Sequence, residues 1–557
     1  MRPVRAGRIE LIQTLTMFED FRKFDTNSNI DTDVCIIGAG AAGITLAKAL
    51  ANSSLDVCLL ESGGTTPEVD IQSLGLPQAR EGDYISMGCR MRLYGGSTSH
   101  WAGWSLPFDP IDFETRYWVE HSGWPIELDE LQPWYRLAND IIGLGEFAYK
   151  AEQLSSVAKQ IPPLEMNSLL NMFWRIPTDA TGFARFQRET LESASNMRVI
   201  TYATVTSLQA DSSGRSVNSA TIASLAGNTA NINARYFVIA AGAIESARLL
   251  LVSNDVNKNG LGNEHDNVGR YFMMHPHATI GTAVNVSSNY APYLRRFDSD
   301  NSYVTTGIGP TAAAQEQQRM LNCSVRFEAG LDTSSGFYAA NQVVDELKLL
   351  YNGWKIGAKD LELPDDFTDN LWTAIKDIDS VIAGYASQAD DSNTGKDWNG
   401  GQVNLTAQSE QAPNRSSRVI LGDERNALGM LQIIQDCRLL EIDRHTLQIT
   451  AELIGRELGA AAAGRVQVAD WITTEDFEWP RDLWGGCHQI GTTRMSENPK
   501  DGVVDKNLRL HGVNNVFVAS SGVFPTGGYA NPTMTSVALT FRLAEHLKNL
   551  GANTLQT

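Results

Sequence analysis

A glycine-rich turn between two strand-like apolar runs, an acid closing the second run, and strand-like blocks that resume after two long polar insertions predict an α/β protein. The expected architecture is a Rossmann-like dinucleotide-binding domain interleaved with an α+β substrate-binding domain. The first is expected to be discontinuous, drawn from residues 31–124, 196–275 and 480–557. The second takes 125–195 and 276–479, and 1–30 is an N-terminal extension.

Residues 33–61 read as strand VCIIGAG, helix AAGITLAKALANS and strand DVCLLE, a βαβ unit. Gly38, Gly40 and Gly43 form G-x-G-x-x-G where this unit needs it, directly after a buried strand and at the opening of a helix. The first glycine permits the tight turn, the second lets backbone approach a pyrophosphate, and the third lets helix and strand pack. The helix N-terminus then faces the phosphate charge. The rival reading is a glycine-rich turn that holds nothing. Glu61 weighs against it, because an acid at the end of the second strand can accept hydrogen bonds from ribose hydroxyls. The fingerprint alone does not separate FAD from NAD.

Further along, VITYATVTSLQA (199–210), TIASLA (221–226) and YFVIAAGAI (236–244) read as strands, the last leading into helix IESARLLLVS. NNVFVASSGVF reads as another strand and TSVALTFRLAEHLKNL as an amphipathic closing helix. Between these blocks, tryptophans, turns and polar stretches such as SQADDSNTGKDWNGGQ suggest the second domain.

A chain of 557 residues exceeds one ordinary core, which is why two domains are expected. Its 45 basic and 65 acidic residues give a net charge of −20, which repels nucleic-acid phosphates and anionic membrane surfaces. The six cysteines (35, 58, 89, 323, 437 and 487) include no C-x-x-C pair, and several lie in apolar runs such as VCII and VCLL. They are expected to be reduced core residues rather than disulfides or metal ligands. No apolar run approaches the ~18 residues of a membrane span. Near the start, Arg2, Arg5 and Arg8 precede ELIQTLTMFEDF, but Glu10, Glu19 and Asp20 interrupt what a signal peptide would keep apolar. A soluble, cytoplasmic protein is the expectation, with Met17 an alternative start and export alongside a partner subunit an alternative route.

A second glycine motif, LYGGSTSHWAGW (93–104), follows Met87, Arg90 and Arg92. With GWPIELDELQPWYRLAND (123–140), AAGAIESARLLLVSN (240–254), NVGRYFMMHP (267–276), CHQIGTTRM (487–495) and VFVASSGVFPTGGYANPTMT (516–535), it resembles the glucose–methanol–choline (GMC) oxidoreductases. The resemblance runs through nearly the whole chain and is nearest the sugar-active branch, the pyranose 2-oxidases and the glucoside and aminoglycoside-sugar dehydrogenases. It implies the GMC or p-hydroxybenzoate hydroxylase-like fold and FAD as cofactor. It places Gly95, Gly96, Ser97, His100, Trp101, Ala102, Val205, Ala241, Ser521, Pro532 and Thr533 against the FAD, beside the fingerprint residues.

Oxidising an alcohol by hydride transfer requires a base for the hydroxyl proton, and histidine suits that role near neutral pH. His488 lies between Gly485–Gly486 and Gly491, where small residues allow close approach. Asn531, after Gly527–Gly528–Tyr529–Ala530, offers a donor and an acceptor that can orient the same hydroxyl. The resemblance assigns His488 as base and Asn531 as its partner, flanking the flavin N5. A structural loop histidine and an Asn-Pro turn are the rival readings. His100 ends a G-G-x-x-x-H-W segment whose histidine bonds covalently to the flavin in part of the family; packing beside the flavin is the alternative.

His275 and His277 would share one face of a strand, but no third ligand completes a metal site, so they are read as lining or supporting the substrate domain. Cys487 reads as packing beside His488. Trp101, Trp104, Trp124 and Trp134 are candidates for stacking on sugars, although core positions suit most of them. The implied substrate is a small-molecule alcohol, by preference a carbohydrate. Reduced flavin would pass electrons to dioxygen, a quinone or a separate redox protein. No haem-binding C-x-x-C-H is present, so any cytochrome belongs to another chain. Rival functions are oxidation of a sterol or simple alcohol, and a lyase that keeps FAD without redox use.

Overall fold

The structure, a computed structural model, describes residues 18–78, 89–329, 339–340, 343, 367–379, 381, 398–474, 478–480 and 483–554. Residues 1–17 with Met17, Met87, and residues 387–397 of the polar stretch lie outside the described residues.

The runs VCII and VCLL form the adjacent parallel strands Ser28–Ile37 and Val57–Leu60. Val34, Cys35, Ile36, Cys58 and Leu59 are all buried, the continuous apolar pattern of a sheet covered on both faces. Eight strands make this first sheet. Along it lie Phe18–Asp20, Met197–Thr201, Val57–Leu60, Ser28–Ile37, Thr229–Ile239, Val217–Ala223 and Thr204–Ala210. Val516–Val518 adds to the far end of Thr229–Ile239 in parallel register. Helix Ala41–Leu50 packs against the closing helix Pro532–Thr554, and that helix packs in turn on Leu128–Ile142.

The stretch 199–210 is two strands and not one. Tyr202 turns left-handed, at φ 58°, between Met197–Thr201 and Thr204–Ala210. There the backbone gives the Tyr202 N–H to the Gly63 carbonyl at 3.1 Å and the Ala203 N–H to that of Glu61 at 2.8 Å. The chain bends because those two bonds tie it to the end of the neighbouring strand. Likewise, NNVFVASSGVF keeps a strand only over Val516–Val518 and then turns into a short 3-10 helix, Ser521–Val523.

The second sheet is antiparallel throughout. Arg296–Ser299, Ser302–Pro310, Cys323–Ala329, Gly401–Ser409, His277–Val286 and Arg465–Val468 follow one another, and Leu169–Pro177 pairs with Ser302–Pro310. Helix Glu441–Ala460 covers it, with Leu447, Ala451, Ile454 and Leu458 buried in one cluster with Ile280, Val304, Val325 and Leu405. Among the described residues no helix is long and apolar enough to cross a membrane.

A buried ion pair ties the loop after Pro110–Phe113 to the end of Gly401–Ser409. Arg116 donates to both carboxylate oxygens of Glu410, at 2.8 and 2.6 Å, and neither side chain is more than 1% exposed. Removing one member of such a pair leaves a charge buried without compensation. Arg116→Ala is expected to lower stability by about 3–5 kcal/mol, measured as a fall in the urea midpoint.

Candidate active site

The glycine fingerprint joins Ser28–Ile37 to Ala41–Leu50. A side chain at Gly43 would start 1.8 Å from the Gly38 carbonyl oxygen, so helix and turn close only on glycine. At Gly40 the opposite holds: no atom lies within 4 Å of where a Cβ would stand, and the helix begins there with no side-chain cap. Its first N–H groups are left for an anion. The second glycine motif docks on this turn. Gly95 donates its N–H to the Ala39 carbonyl at 2.8 Å, and Gly96 comes so near that a Cβ on it would sit 3.0 Å from the Gly40 Cα.

Glu61 closes the cradle. Its carboxylate accepts the N–H groups of Ala39 at 2.9 Å and Gly63 at 3.0 Å, and burial raises its pKa to about 7 against those bonds. The tie from Ala203 to Glu61 brings the segment leading into Val205 alongside, and Ala241 abuts Gly38. Gly38, Gly40, Gly43, Glu61, Gly95, Gly96, Val205 and Ala241 thus come together at the carboxyl ends of parallel strands, where open α/β sheets bind ligands.

Positive charge gathers beside them. Arg90, Arg92 and Arg248 surround the carboxylate of Glu245 at 2.8, 2.6 and 3.3 Å, and Arg92 also reaches the Ser62 hydroxyl at 3.0 Å. Against the effect of burial, Arg92, Arg248 and Arg90 bring Glu245 down to about 2. Three guanidinium groups to one carboxylate leave a positive surplus suited to phosphates. An open glycine turn, a helix N-terminus, surplus positive charge and a buried acid are the donors and acceptors that FAD requires.

The second half of the site is set by backbone pairing between 273–277 and 484–490. Met273 pairs with Ile490 and His277 with Trp484, in antiparallel bridges. Between them, Gly486 and Cys487 take φ of 60° and 61°, which turns His488 toward His275. The Nδ1 atoms of His275 and His488 lie 2.9 Å apart, and the Nε2 of His488 is 3.1 Å from the Nδ2 of Asn531. His275 also places its Nε2 3.2 Å from the Gly527 carbonyl oxygen. Gln408 fixes the asparagine: its Nε2 donates to the Tyr529 carbonyl at 2.5 Å and to the Asn531 Oδ1 at 3.4 Å. The Gln408 Oε1 stands 2.8 Å from the His277 Nε2. Burial, with the neighbouring His275 and His277, lowers the pKa of the half-buried His488 well below 6.5.

His275 and His277 are therefore tied to His488. His275 engages His488 and the Gly527 carbonyl, and His277 engages the His275 carbonyl and the Gln408 amide. The sequence signal was the H-P-H alternation after GRYFMM; what it lacked was the pairing of that segment with 484–490. Gln408 gave no signal at all, since a lone glutamine in a strand carries no motif.

The remaining predicted residues distribute unevenly. Ser521 donates its hydroxyl to the Gln489 carbonyl at 2.6 Å, which puts its loop against that of His488. Pro532 and Thr533 open the closing helix directly after Asn531. Ser97, His100 and Ala102 are exposed, and Trp101 donates its ring N–H to the Ala180 carbonyl at 2.6 Å. Trp124 is buried, Trp104 lies edge-on to Trp174, and Trp101, Trp104 and Trp134 pack partly buried on the first core. Trp484, passed over in the sequence, lies against His277 with ring centroids 4.7 Å apart and is 50% exposed.

Cysteine 487 corrects the expectation that all six thiols are reduced. It forms a disulfide with Cys89, their Cα atoms 5.2 Å apart across a sequence separation of 398. Spacing along the chain could not show this, because the partners sit on loops that meet only in the fold. Cys89 in turn accepts the Ser97 hydroxyl on its carbonyl at 2.8 Å, so the bridge links the second glycine motif to the His488 loop. Cys35, Cys58 and Cys323 are free and buried, and Cys437 is free and half-buried.

Comparison with known proteins identifies the family. Residues 33–313 match the family described as FAD dependent oxidoreductase, and residues 413–540 that described as GMC oxidoreductase. The fructose dehydrogenase large subunit of Gluconobacter japonicus is 23% identical over 94% of this chain and 99% of its own. Paromamine 6'-oxidase of Streptomyces fradiae is 24% identical over 92% of this chain and 90% of its own. The crystal structure of pyridoxine 4-oxidase from Mesorbium loti superposes with a TM-score of 0.53 at 18% identity, covering 92% of this chain and 98% of that one. The chain belongs to the FAD-dependent oxidoreductases. Within that class it is a GMC oxidoreductase, an enzyme with FAD as its cofactor.

Cys89→Ala is expected to lower stability by roughly 2–5 kcal/mol. The fall in melting temperature should match that caused by a reductant in the wild-type protein, and a non-reducing peptide map should recover the 89–487 linkage.

Proposed function

We propose that this enzyme oxidises an alcohol to a carbonyl, acting on a ring or primary hydroxyl of a sugar or glycoside, with His488 as the base. The supporting observation is the facing pair of His488 Nε2 and Asn531 Nδ2, 3.1 Å apart and each backed by a second hydrogen bond. A substrate hydroxyl entering between them meets an acceptor for its proton on one side and an amide for its oxygen on the other. Bound FAD supplies the two-electron acceptor for the hydride that leaves the carbinol carbon. His488 holds the hydroxyl proton on Nε2 and returns it to solvent. The backing hydrogen bonds hold both side chains in place before substrate arrives. The half-exposed Trp484 offers an aromatic face beside this pair, and the names of the relatives support a sugar as substrate. On this reading residues 125–195 and 276–479 form the substrate side.

The acceptor of the electrons is dioxygen, a quinone or a separate redox protein; one relative is named as a large subunit, which supports a partner chain. Peroxide formed during turnover would single out dioxygen. His100, exposed at the end of Gly96–Ser99, is the candidate for a covalent bond to FAD. Acid precipitation tests it: flavin in the pellet supports the bond, and flavin left in solution rejects it.

Anaerobic mixing with sugars, glycosides, aminoglycoside precursors and simple alcohols should bleach the flavin, most rapidly with a carbohydrate. A flavin that stays oxidised while substrate is cleaved would mean a lyase. His488→Ala is expected to slow bleaching by about 10²–10⁴-fold, and unchanged bleaching would reject the assigned base. Because the His488 pKa is lowered, the ring is neutral and able to accept a proton below the pH at which an ordinary histidine charges. The acid limb of kcat/KM should therefore fall below pH 6.5.

A further inference from the structure

Proton counting around His275 leads beyond the base itself. The Gly527 carbonyl can only accept, so the His275 Nε2, 3.2 Å away, must carry a hydrogen. A neutral imidazole has one N–H, which leaves the His275 Nδ1 bare. His275 is fully buried, and burial, with His277 beside it, holds its pKa at about 3, so neutral is its working state. The bare Nδ1 faces the Nδ1 of His488 at 2.9 Å, and two bare nitrogens at that distance would repel. His488 must then carry its proton on Nδ1, and its Nε2 is left bare toward the Asn531 amide. The Gly527 carbonyl precedes Asn531 in the same loop, so the segment that supplies the amide also sets the tautomer of the base.

We infer that His275 is a positioning residue that fixes His488 in its Nδ1–H tautomer, presenting Nε2 as the proton acceptor. This rests on His488 being the base. The Nδ1–H bond to the His275 lone pair persists when His488 takes a second proton on Nε2, so the contact that selects the tautomer also holds the ring in place through the proton transfer. The arrangement plays the part of an acid–histidine pair with an uncharged orienting group.

Two substitutions separate orientation from packing. In His275→Asn, the amide oxygen can occupy the place of the Nδ1 and keep an acceptor there; His275→Leu removes it. In the full-length, FAD-loaded enzyme, His275→Leu is expected to lower kcat by about 100-fold or more, with KM and flavin content little changed. His275→Asn should restore kcat to within about tenfold of wild type. Nitrogen-15 histidine NMR, with His488→Gln to assign the signal, should show wild-type His488 protonated on Nδ1, and a mixture of tautomers in His275→Leu. An Nε2–H tautomer in the wild type, or wild-type kcat in His275→Leu, would overturn the inference. Should His275→Leu fail to fold, the wild-type tautomer and the activity of His275→Asn still decide it. Failure of the base assignment is seen separately, as undiminished flavin reduction in His488→Ala, whereas the NMR result does not depend on activity.

Discussion

Four backbone hydrogen bonds between residues 273–277 and 484–490 carry the arrangement of the candidate active site. They pair Met273 with Ile490 and His277 with Trp484, and the extra residues on the second segment bulge outward through the left-handed Gly486 and Cys487. From that bulge His488 faces back across the pairing to His275. Without this register the imidazoles would not meet, and neither the chain of hydrogen bonds to Gly527 nor the contact with Asn531 would form. The disulfide from Cys487 to Cys89 pins the same bulge to the glycine loop on the other side.

The two sheets contribute in different ways. The parallel sheet ends in a backbone cradle, where a side chain at Gly43 or Gly38 would stand 1.8 or 2.7 Å from backbone oxygens and Gly40 is left open. The antiparallel sheet contributes side chains: Gln408 at the end of one strand and His277 at the start of its neighbour are held in register by that ladder. A cradle of backbone atoms can be read from glycines in order along the chain. A network of side chains cannot, because its members, His277, Gln408, His488 and Asn531, are neighbours only after the sheet has formed.

That difference explains what the sequence disclosed. The fingerprint was legible because Gly38, Gly40, Gly43 and Glu61 lie within one βαβ unit, and its local pattern is its structure. His488 and Asn531 were legible through motif resemblance, not from any property of a histidine or asparagine by itself. His275 was placed two residues from His277 on a supposed strand face and given only a supporting part, since the antiparallel pairing with 484–490 leaves no periodic trace. The cysteine reading failed for a related reason: Cys89 and Cys487 have no shared local pattern, and only the meeting of two loops makes them a pair. With that bridge present, the cysteines no longer argue for a reducing compartment. The bend at Tyr202 was hidden because the residues around it are apolar and β-branched on both sides, and only the carbonyls of Glu61 and Gly63 break the strand.

The placement of Val516–Val518 has a consequence for how the molecule is made. This short strand fills the parallel register beside Thr229–Ile239, and the closing helix that follows it packs on Ala41–Leu50. On the ribosome, the cradle sequence emerges well before the strand and helix that complete its sheet, which follow the last antiparallel strand. The end of Thr229–Ile239 that Val516–Val518 covers stays unpaired while all but one strand of the antiparallel sheet is made, an interval in which pairing with the wrong strand competes with pairing with the right one. Yield of folded enzyme is thereby made sensitive to chaperone capacity and translation speed as well as to the stability of the finished fold.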